Sequence, residues 1–204
     1  MNNILVTGSE GQLGSELRAI AFRFTQYNLF FTNRLTLDIT DYNAVKAFTE
    51  TNKINAIINC AAYTSVDSAE SQSKLADAVN HLAVANLAKI SKQNNIKFIH
   101  ISTDYVFDGN SQRPYNENDT PNPQSVYGQT KLDGELAMKK INPANSIIIR
   151  TSWLYSRHGN NFVKTMLKLA ETKSEISVVS DQIGSPTSAA DLAKAILTIL
   201  PMVH

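Results

Sequence analysis

At 204 residues, 43% hydrophobic and 18% charged with a net charge of +1, the chain suits one soluble domain, or one domain plus a fragment of another, and gives no reason to expect a nucleic-acid or membrane-surface partner. Its longest apolar runs, such as 147–149, fall far short of the roughly 20 residues that cross a bilayer, and its start lacks the basic and apolar regions of a signal peptide. The single cysteine, Cys60, excludes an internal disulfide and fits a reducing cytoplasm, and His81, His100, His158 and His204 show no metal-ligand spacing, so no metal site is expected.

Short apolar runs at 3–7, 29–32, 56–60, 97–102, 146–150 and 176–179 read as strands. Their continuous apolar character suggests burial on both faces, as in a parallel sheet. Helical stretches at 12–23, 41–51, 74–93, 126–140, 161–171 and 188–200 alternate with them. That alternation predicts an α/β chain with a doubly wound, Rossmann-like parallel sheet.

The first strand runs into Gly8-Ser9-Glu10-Gly11-Gln12-Leu13-Gly14 and then a helix. Glycines at such a turn let the backbone approach a pyrophosphate, and the helix N-terminal amides and dipole favour the anion. The spacing is GxxGxxG rather than GxGxxG, and a plain strand-to-helix turn is the competing reading. The second strand ends at Asn33-Arg34, where an NAD site would carry an acidic residue for the ribose hydroxyls. Arg34 suits a 2′-phosphate, which tilts the cofactor towards NADPH, although a solvated arginine explains it equally. Asp38 and Ile39 are placed to border the adenine, and Thr40 or Asp41 to cap the next helix.

The third strand ends in Asn59-Cys60-Ala61-Ala62-Tyr63-Thr64, whose small residues would let a cofactor lie against the backbone. Asn80, within the helix at 74–93, is read either as a surface residue or as a holder of a water or backbone carbonyl near the site. The fourth strand delivers Ser102, Thr103 and Asp104 to the carboxyl edge of the sheet, where ligands bind in such folds. The long proline- and asparagine-rich segment 108–125 has no apolar periodicity and is placed to border a substrate pocket. Tyr127 and Lys131 follow at i and i+4, on one helical face given about 3.6 residues per turn. A phenol beside an ammonium is a plausible proton-transfer pair, since the charge favours the phenolate. Trp153, beyond the fifth strand, offers a flat wall for a sugar or base, or is an ordinary core aromatic.

These segments resemble the extended short-chain dehydrogenase/reductases and, within them, the dTDP-4-dehydrorhamnose reductase family. TGSEGQLG (7–14) and YGQTKLDGE (127–135) are shared widely among extended reductases. NCAAYTSVDSAE (59–70), STDYVFDG (102–109), RTSWLY (150–155), GNNFVKTML (159–167) and DQIGSPT (181–187) extend the likeness over nearly the whole chain, and STDYVFDG, RTSWLY, GNNF and DQIGSPT together are specific to the narrower family.

The resemblance implies NADPH- or NADH-dependent reduction of the 4-keto group of dTDP-4-dehydro-β-L-rhamnose. It implies Thr103, Tyr127 and Lys131 as the catalytic set, with Tyr127 the proton donor, Thr103 a hydrogen-bonding partner of the reacting oxygen, and Lys131 the holder of the nicotinamide ribose and the group that lowers the Tyr127 pKa. Cofactor contacts carried over by motif are Gly11, Gln12, Leu13, Asp38, Ile39, Ala62, Tyr63 and Thr64, beside Gly8, Gly14 and Arg34 from the readings above. Thr103, Asp104 and Trp153 match substrate contacts.

The resemblance further implies a dinucleotide-binding domain at 1–150, part of a small C-terminal substrate lobe at 151–175, and a return to the first domain at 176–204. Members of the family run longer, so this chain reads as truncated. A cytoplasmic location, a homodimer and Mg2+ in full-length relatives are implied as well. Two readings compete. One is a non-catalytic NADP-binding regulatory subunit, like that of methionine adenosyltransferase, which need not keep a proton donor. The other is an epimerase or dehydratase, disfavoured because Tyr105 stands where a 4,6-dehydratase places a glutamate.

Overall fold

In the computed structural model, which describes residues 2–203, β1 (Asn2–Thr7) pairs with β2 (Tyr27–Phe31) on one side and β3 (Ile54–Asn59) on the other. Met1 and His204 lie outside the described residues. β4 (Lys97–Thr103) and β5 (Ser146–Thr151) extend the sheet beyond β3, giving the order β2-β1-β3-β4-β5 with every pair parallel. The order reverses between β1 and β3. In open α/β sheets that reversal opens a crevice at the carboxyl ends of the strands.

Strand periodicity builds the two layers around this sheet. Successive side chains point to opposite faces, so Ile4 and Val6 join one core with Ile58 and Ile99, while Leu5 joins the other with Ile57 and Phe98. The first core is closed by α1 (Gln12–Ile20) and α8 (Ala189–Ile199), through Leu13, Leu17, Ala193, Ile196 and Leu197. The second is closed by α2 (Tyr42–Thr51), α5 (Ala83–Gln93) and α6 (Val126–Ile141), through Val45, Leu87, Ile90 and Met138. The expected doubly wound sheet is therefore what the chain forms.

Local chemistry sets the helix starts. Asp41 caps α2 by accepting from the Ala44 amide at 3.0 Å, so of the two candidates it is Asp41 rather than Thr40 that caps. Ser125 does the same for α6 from Gly128 at 3.1 Å, which fixes where Tyr127 enters the helix.

Two sequence expectations need correction here. The run 176–179 is not a strand: Val178 and Val179 are exposed, and among the described residues no strand pairs with their backbone. The small second sheet is instead β6 (Leu154–Tyr155) parallel to β7 (Thr187–Ser188). The helix expected at 74–93 is α4 (Ser73–Asp77) and α5 joined by a π-helical turn at Ala78–Leu82, and α3 (Val66–Ser71) precedes it where no helix was predicted. The remaining helix, α7 (Phe162–Ala170), falls where the apolar periodicity put it.

Candidate active site

A cavity of about 870 Å3 opens along the carboxyl edge of the sheet. One end begins at the glycine turn. Gly8 has φ +63°, and a Cβ there would lie 2.5 Å from the Ala61 amide nitrogen and 2.7 Å from the Cys60 carbonyl carbon. A side chain at Gly14 would likewise meet the Ser9 backbone. Gly11 is the N-cap of α1 and offers no side-chain cap, so no capping side chain competes for the first amides of that helix, whose residues line the cavity. Gln12 and Leu13 complete this wall. Glycine at 8 and 14 thus lets the end of β3 and the Ser9 backbone pack tightly against the turn, shaping a backbone cradle at the start of α1 that an anion fits.

Beyond the turn the cavity runs past Arg34, Asp38 and Ile39. Arg34 is largely exposed and pairs with Asp38 at 3.6 Å. Asp38 is held below the usual carboxylate range mainly by the Thr40 amide, with Arg34 a smaller influence. No carboxylate stands at position 33; Asn33 donates instead to Glu10 Oε1 at 2.5 Å. The far wall is Ala62, Tyr63 and Thr64. Asn80, fully buried in the π-helical turn, clamps this segment: its Oδ1 accepts from the Tyr63 amide at 2.9 Å and its Nδ2 donates to the Tyr63 carbonyl at 3.0 Å. Of its two sequence readings, the backbone holder is the one found. A π turn at such a place is a common mark of a functional site.

At the other end Thr103 leaves β4, its hydroxyl donating to Asp104 Oδ1 at 3.1 Å and accepting from the Tyr105 amide at 3.2 Å. Burial raises the Asp104 carboxyl, against the Thr103 hydrogen bond. Tyr127, at the first turn of α6, is almost wholly buried and meets Tyr105 edge to face at 5.5 Å. Its phenol is raised by burial first, with the Thr103 hydroxyl pulling it down and Asp104 and Tyr105 adding to the rise. The expectation that Lys131 lowers the Tyr127 pKa is therefore corrected. Lys131 turns its amine into the sheet, donating to the Ile101 carbonyl at 2.6 Å and lying 3.3 Å from His100 Nε2. A raised phenol keeps its proton at neutral pH, which is the state a proton donor needs.

Burial lowers the Lys131 amine to about 8, against the pull of Glu135 and Cys60. Cys60 itself is pushed up to about 12 by burial. Glu135, fully buried one turn on, is held by Arg150 of β5 through Nε at 2.9 Å and Nη2 at 2.6 Å, tying α6 to the sheet edge. Trp153 closes the cavity at φ +48°, packed edge to face on Phe162 at 5.2 Å. A bulky residue in the left-handed region is rare and clusters at functional sites.

Every residue singled out as a cofactor, catalytic or substrate contact lines this one cavity. The segment 108–125 does not. It folds on itself through Arg113 and Asp119 (2.7 Å) and the stack of Tyr115 on Phe107 (4.3 Å), which satisfies its polar groups away from the pocket. Sequence reading missed Thr7, Asn59 and His100, which stand behind Lys131; a lone histidine in the otherwise apolar centre of a strand was the available signal. It also missed a grouping of Asp77, His81 and Asp133, whose ligand atoms lie within 4.8 Å of one another among the described residues, because it compared histidines only with each other. None of the three lines the cavity, and a set containing an imidazole does not match the all-oxygen preference of Mg2+.

The whole chain, residues 1–204, matches the family described as RmlD substrate binding domain. It is 43% identical over 199 residues to a dTDP-4-dehydrorhamnose reductase of Aggregatibacter actinomycetemcomitans, covering 98% of this chain and 67% of that protein. A protein of the same name from Escherichia coli K12 is 41% identical, over 94% of this chain and 64% of its own length. The chain spans about two thirds of the length of these curated relatives. Among solved structures, a dTDP-4-dehydrorhamnose reductase from Clostridium acetobutylicum superposes with a TM-score of 0.93 at 45% identity, covering 98% of this chain and 70% of that one. One from Bacillus anthracis, solved in complex with NADP, gives 0.95 at 40% identity, covering 100% and 72%.

Proposed function

We propose that this chain, which belongs to the dTDP-4-dehydrorhamnose reductase family, carries the NADPH-dependent reduction of the 4-keto group of dTDP-4-dehydro-β-L-rhamnose to dTDP-β-L-rhamnose. The observation that carries the reading is the meeting of the glycine cradle with Thr103, Tyr127 and Lys131 in one cavity. When bound, a reduced nicotinamide supplies the hydride. The residues of the chain do the rest. Gly8, Gly11 and Gly14 admit the pyrophosphate to the amides of α1, and Arg34 meets a 2′-phosphate. Tyr63, fixed by Asn80, walls the pocket. Tyr127 gives its proton to the ketone oxygen as that oxygen gains charge, and Thr103 hydrogen-bonds it. Lys131 presents an N–H to the ribose, and Trp153 faces the sugar with Asp104 beside it.

The reading includes a division into 1–150, 151–175 and 176–204, action in the cytoplasm on a dTDP-sugar, and a homodimer. Incubating the protein with NADPH and dTDP-4-dehydro-β-L-rhamnose and following both cofactor loss and dTDP-β-L-rhamnose by chromatography tests it. Cofactor loss with the opposite C4 epimer as product would change the stereochemistry assigned, and loss of neither cofactor nor ketone would overturn the reading.

A further inference from the structure

We infer that the side chains of Gln12 and Asn161 form a strut that fixes Trp153 relative to the glycine turn, which makes both of them positioning residues for the Trp153 wall. Gln12 opens α1 directly behind the turn, and its backbone amide is one of those a helix start leaves unpaired. Its side chain is spent elsewhere. Nε2 donates to the Leu154 carbonyl at 3.1 Å, and Oε1 accepts from Asn161 Nδ2 at 2.9 Å. These partners lie 142 and 149 residues away in sequence, so the two bonds tie the first turn of α1 to the loop between β5 and α7.

Asn161 is used as fully. Its Oδ1 accepts from the Lys164 amide at 3.0 Å and caps α7, while Nδ2 donates to the Ser156 carbonyl at 2.7 Å as well as to Gln12. A side-chain amide has two N–H groups and one oxygen, so each of its donors and its acceptor has a partner. The next residue, Phe162, carries the ring that meets Trp153 edge to face at 5.2 Å. Gln12 therefore grips Trp153 from two sides. One grip is the carbonyl of the adjoining Leu154; the other is the residue that starts the helix bearing Phe162.

The surrounding loop is shaped to this grip. Gly159, at φ +62°, passes so close that a Cβ there would lie 3.2 Å from Gln12 Cγ. Glu16, one turn on along the same face of α1, accepts from the Ser156 hydroxyl at 3.0 Å. Trp153 needs such holding, because a bulky residue keeps a φ of +48° only where its surroundings impose it. Gly184 bounds the indole on another side, where a Cβ would overlap the ring. The strut thus sets the span between the start of α1, where the anion cradle lies, and the wall at the far end of the cavity.

The effect on kinetics rests on the proposed reading of Trp153 as the sugar wall, but the first test needs no substrate. Trp153 is the sole tryptophan, so intrinsic fluorescence reports the wall directly. Asn161→Asp keeps an oxygen to cap α7 and loses both N–H donors; Asn161→Ser also caps but is too short to reach Gln12. In the ligand-free protein each is expected to raise the acrylamide quenching constant of Trp153 about twofold. Gln12→Leu is expected to do the same. Gln12→Leu combined with Asn161→Asp should show no more than the larger single effect, because both remove one contact. In turnover, Asn161→Asp is expected to raise the sugar-nucleotide KM about fivefold, the order of one lost hydrogen bond, with kcat and NADPH affinity held within about twofold. A wild-type quenching constant in either Asn161 variant, or additive effects in the combined one, overturns the inference. Where Asn161→Asp does not fold, Asn161→Ser and Gln12→Leu carry the comparison. Raised quenching with an unchanged KM leaves the strut standing and removes Trp153 from the proposed sugar site, so the two failures are told apart.

Discussion

Gly128 passes so close beneath the Tyr105 carbonyl that a methyl group at position 128 would overlap that oxygen. This contact sets how near α6 comes to the end of β4, and hence how near Tyr127 comes to Thr103. In an open helix, alanine would be the better residue by roughly 0.5–1 kcal/mol. Here overpacking dominates: Gly128→Ala is expected to destabilise by about 1–3 kcal/mol and to lower kcat more than it raises KM. Urea unfolding beside steady-state kinetics checks it; unchanged kcat would mean the approach of α6 does not matter.

Gly8 makes a second prediction at the opposite end of the cavity. Its φ of +63° and the 2.5 Å approach of a Cβ to the Ala61 nitrogen leave no room for a side chain. Gly8→Ala should therefore weaken NADPH binding at least about tenfold, as small misplacements at a phosphate cradle do. Fluorescence titration of NADPH measures this directly, and equal affinity in the two proteins would remove the cradle from the account.

Arg34 bears on which dinucleotide the cradle takes. It lies exposed at the cavity wall, paired with Asp38 at 3.6 Å. Exposed ion pairs contribute only about 0–1 kcal/mol, so the guanidinium is readily drawn to a 2′-phosphate. Arg34→Ala is expected to weaken NADPH about tenfold and leave NADH nearly unchanged. Parallel titrations with the two cofactors decide it: equal losses would sink the phosphate role.

How much of this was open to sequence reading follows the range of the interactions. The glycine turn, the Asp41 cap and the Tyr127–Lys131 spacing are local, and each stands where its residues predict. The apolar run 176–179 misled because hydrophobicity alone does not supply a neighbouring strand to pair with. Residues 108–125 misled for the converse reason: a polar stretch can close on its own side chains, as Arg113 and Asp119 do. The chain from Asn59 through His100 to Lys131 joins β3, β4 and α6 across separations of 41 and 31 residues. No local pattern encodes that, and neither does the left-handed backbone of Trp153.

The buried amine also predicts a stability signature. Folding lowers the Lys131 pKa from 10.5 to about 8, so between these values the unfolded chain binds the extra proton. Stability from this group then rises with pH through that window and is flat below it. Relative to Lys131→Met, the wild type should gain about 2–3 kcal/mol between roughly pH 7 and pH 10. Urea unfolding of both proteins across the range measures the gap. A constant gap would show that the amine is not lowered on folding.

The central claim is that Tyr127 hands its proton to a ketone in a pocket that Thr103 and Lys131 complete. The most direct measurement compares wild type with Tyr127→Phe for turnover of NADPH and dTDP-4-dehydro-β-L-rhamnose, with NADPH affinity measured on the same samples. Loss of one general acid corresponds to roughly 10²–10⁴-fold in rate. The account predicts a loss of that size in kcat with NADPH affinity held within about twofold. Tyr127→Phe turning over at the wild-type rate would contradict it.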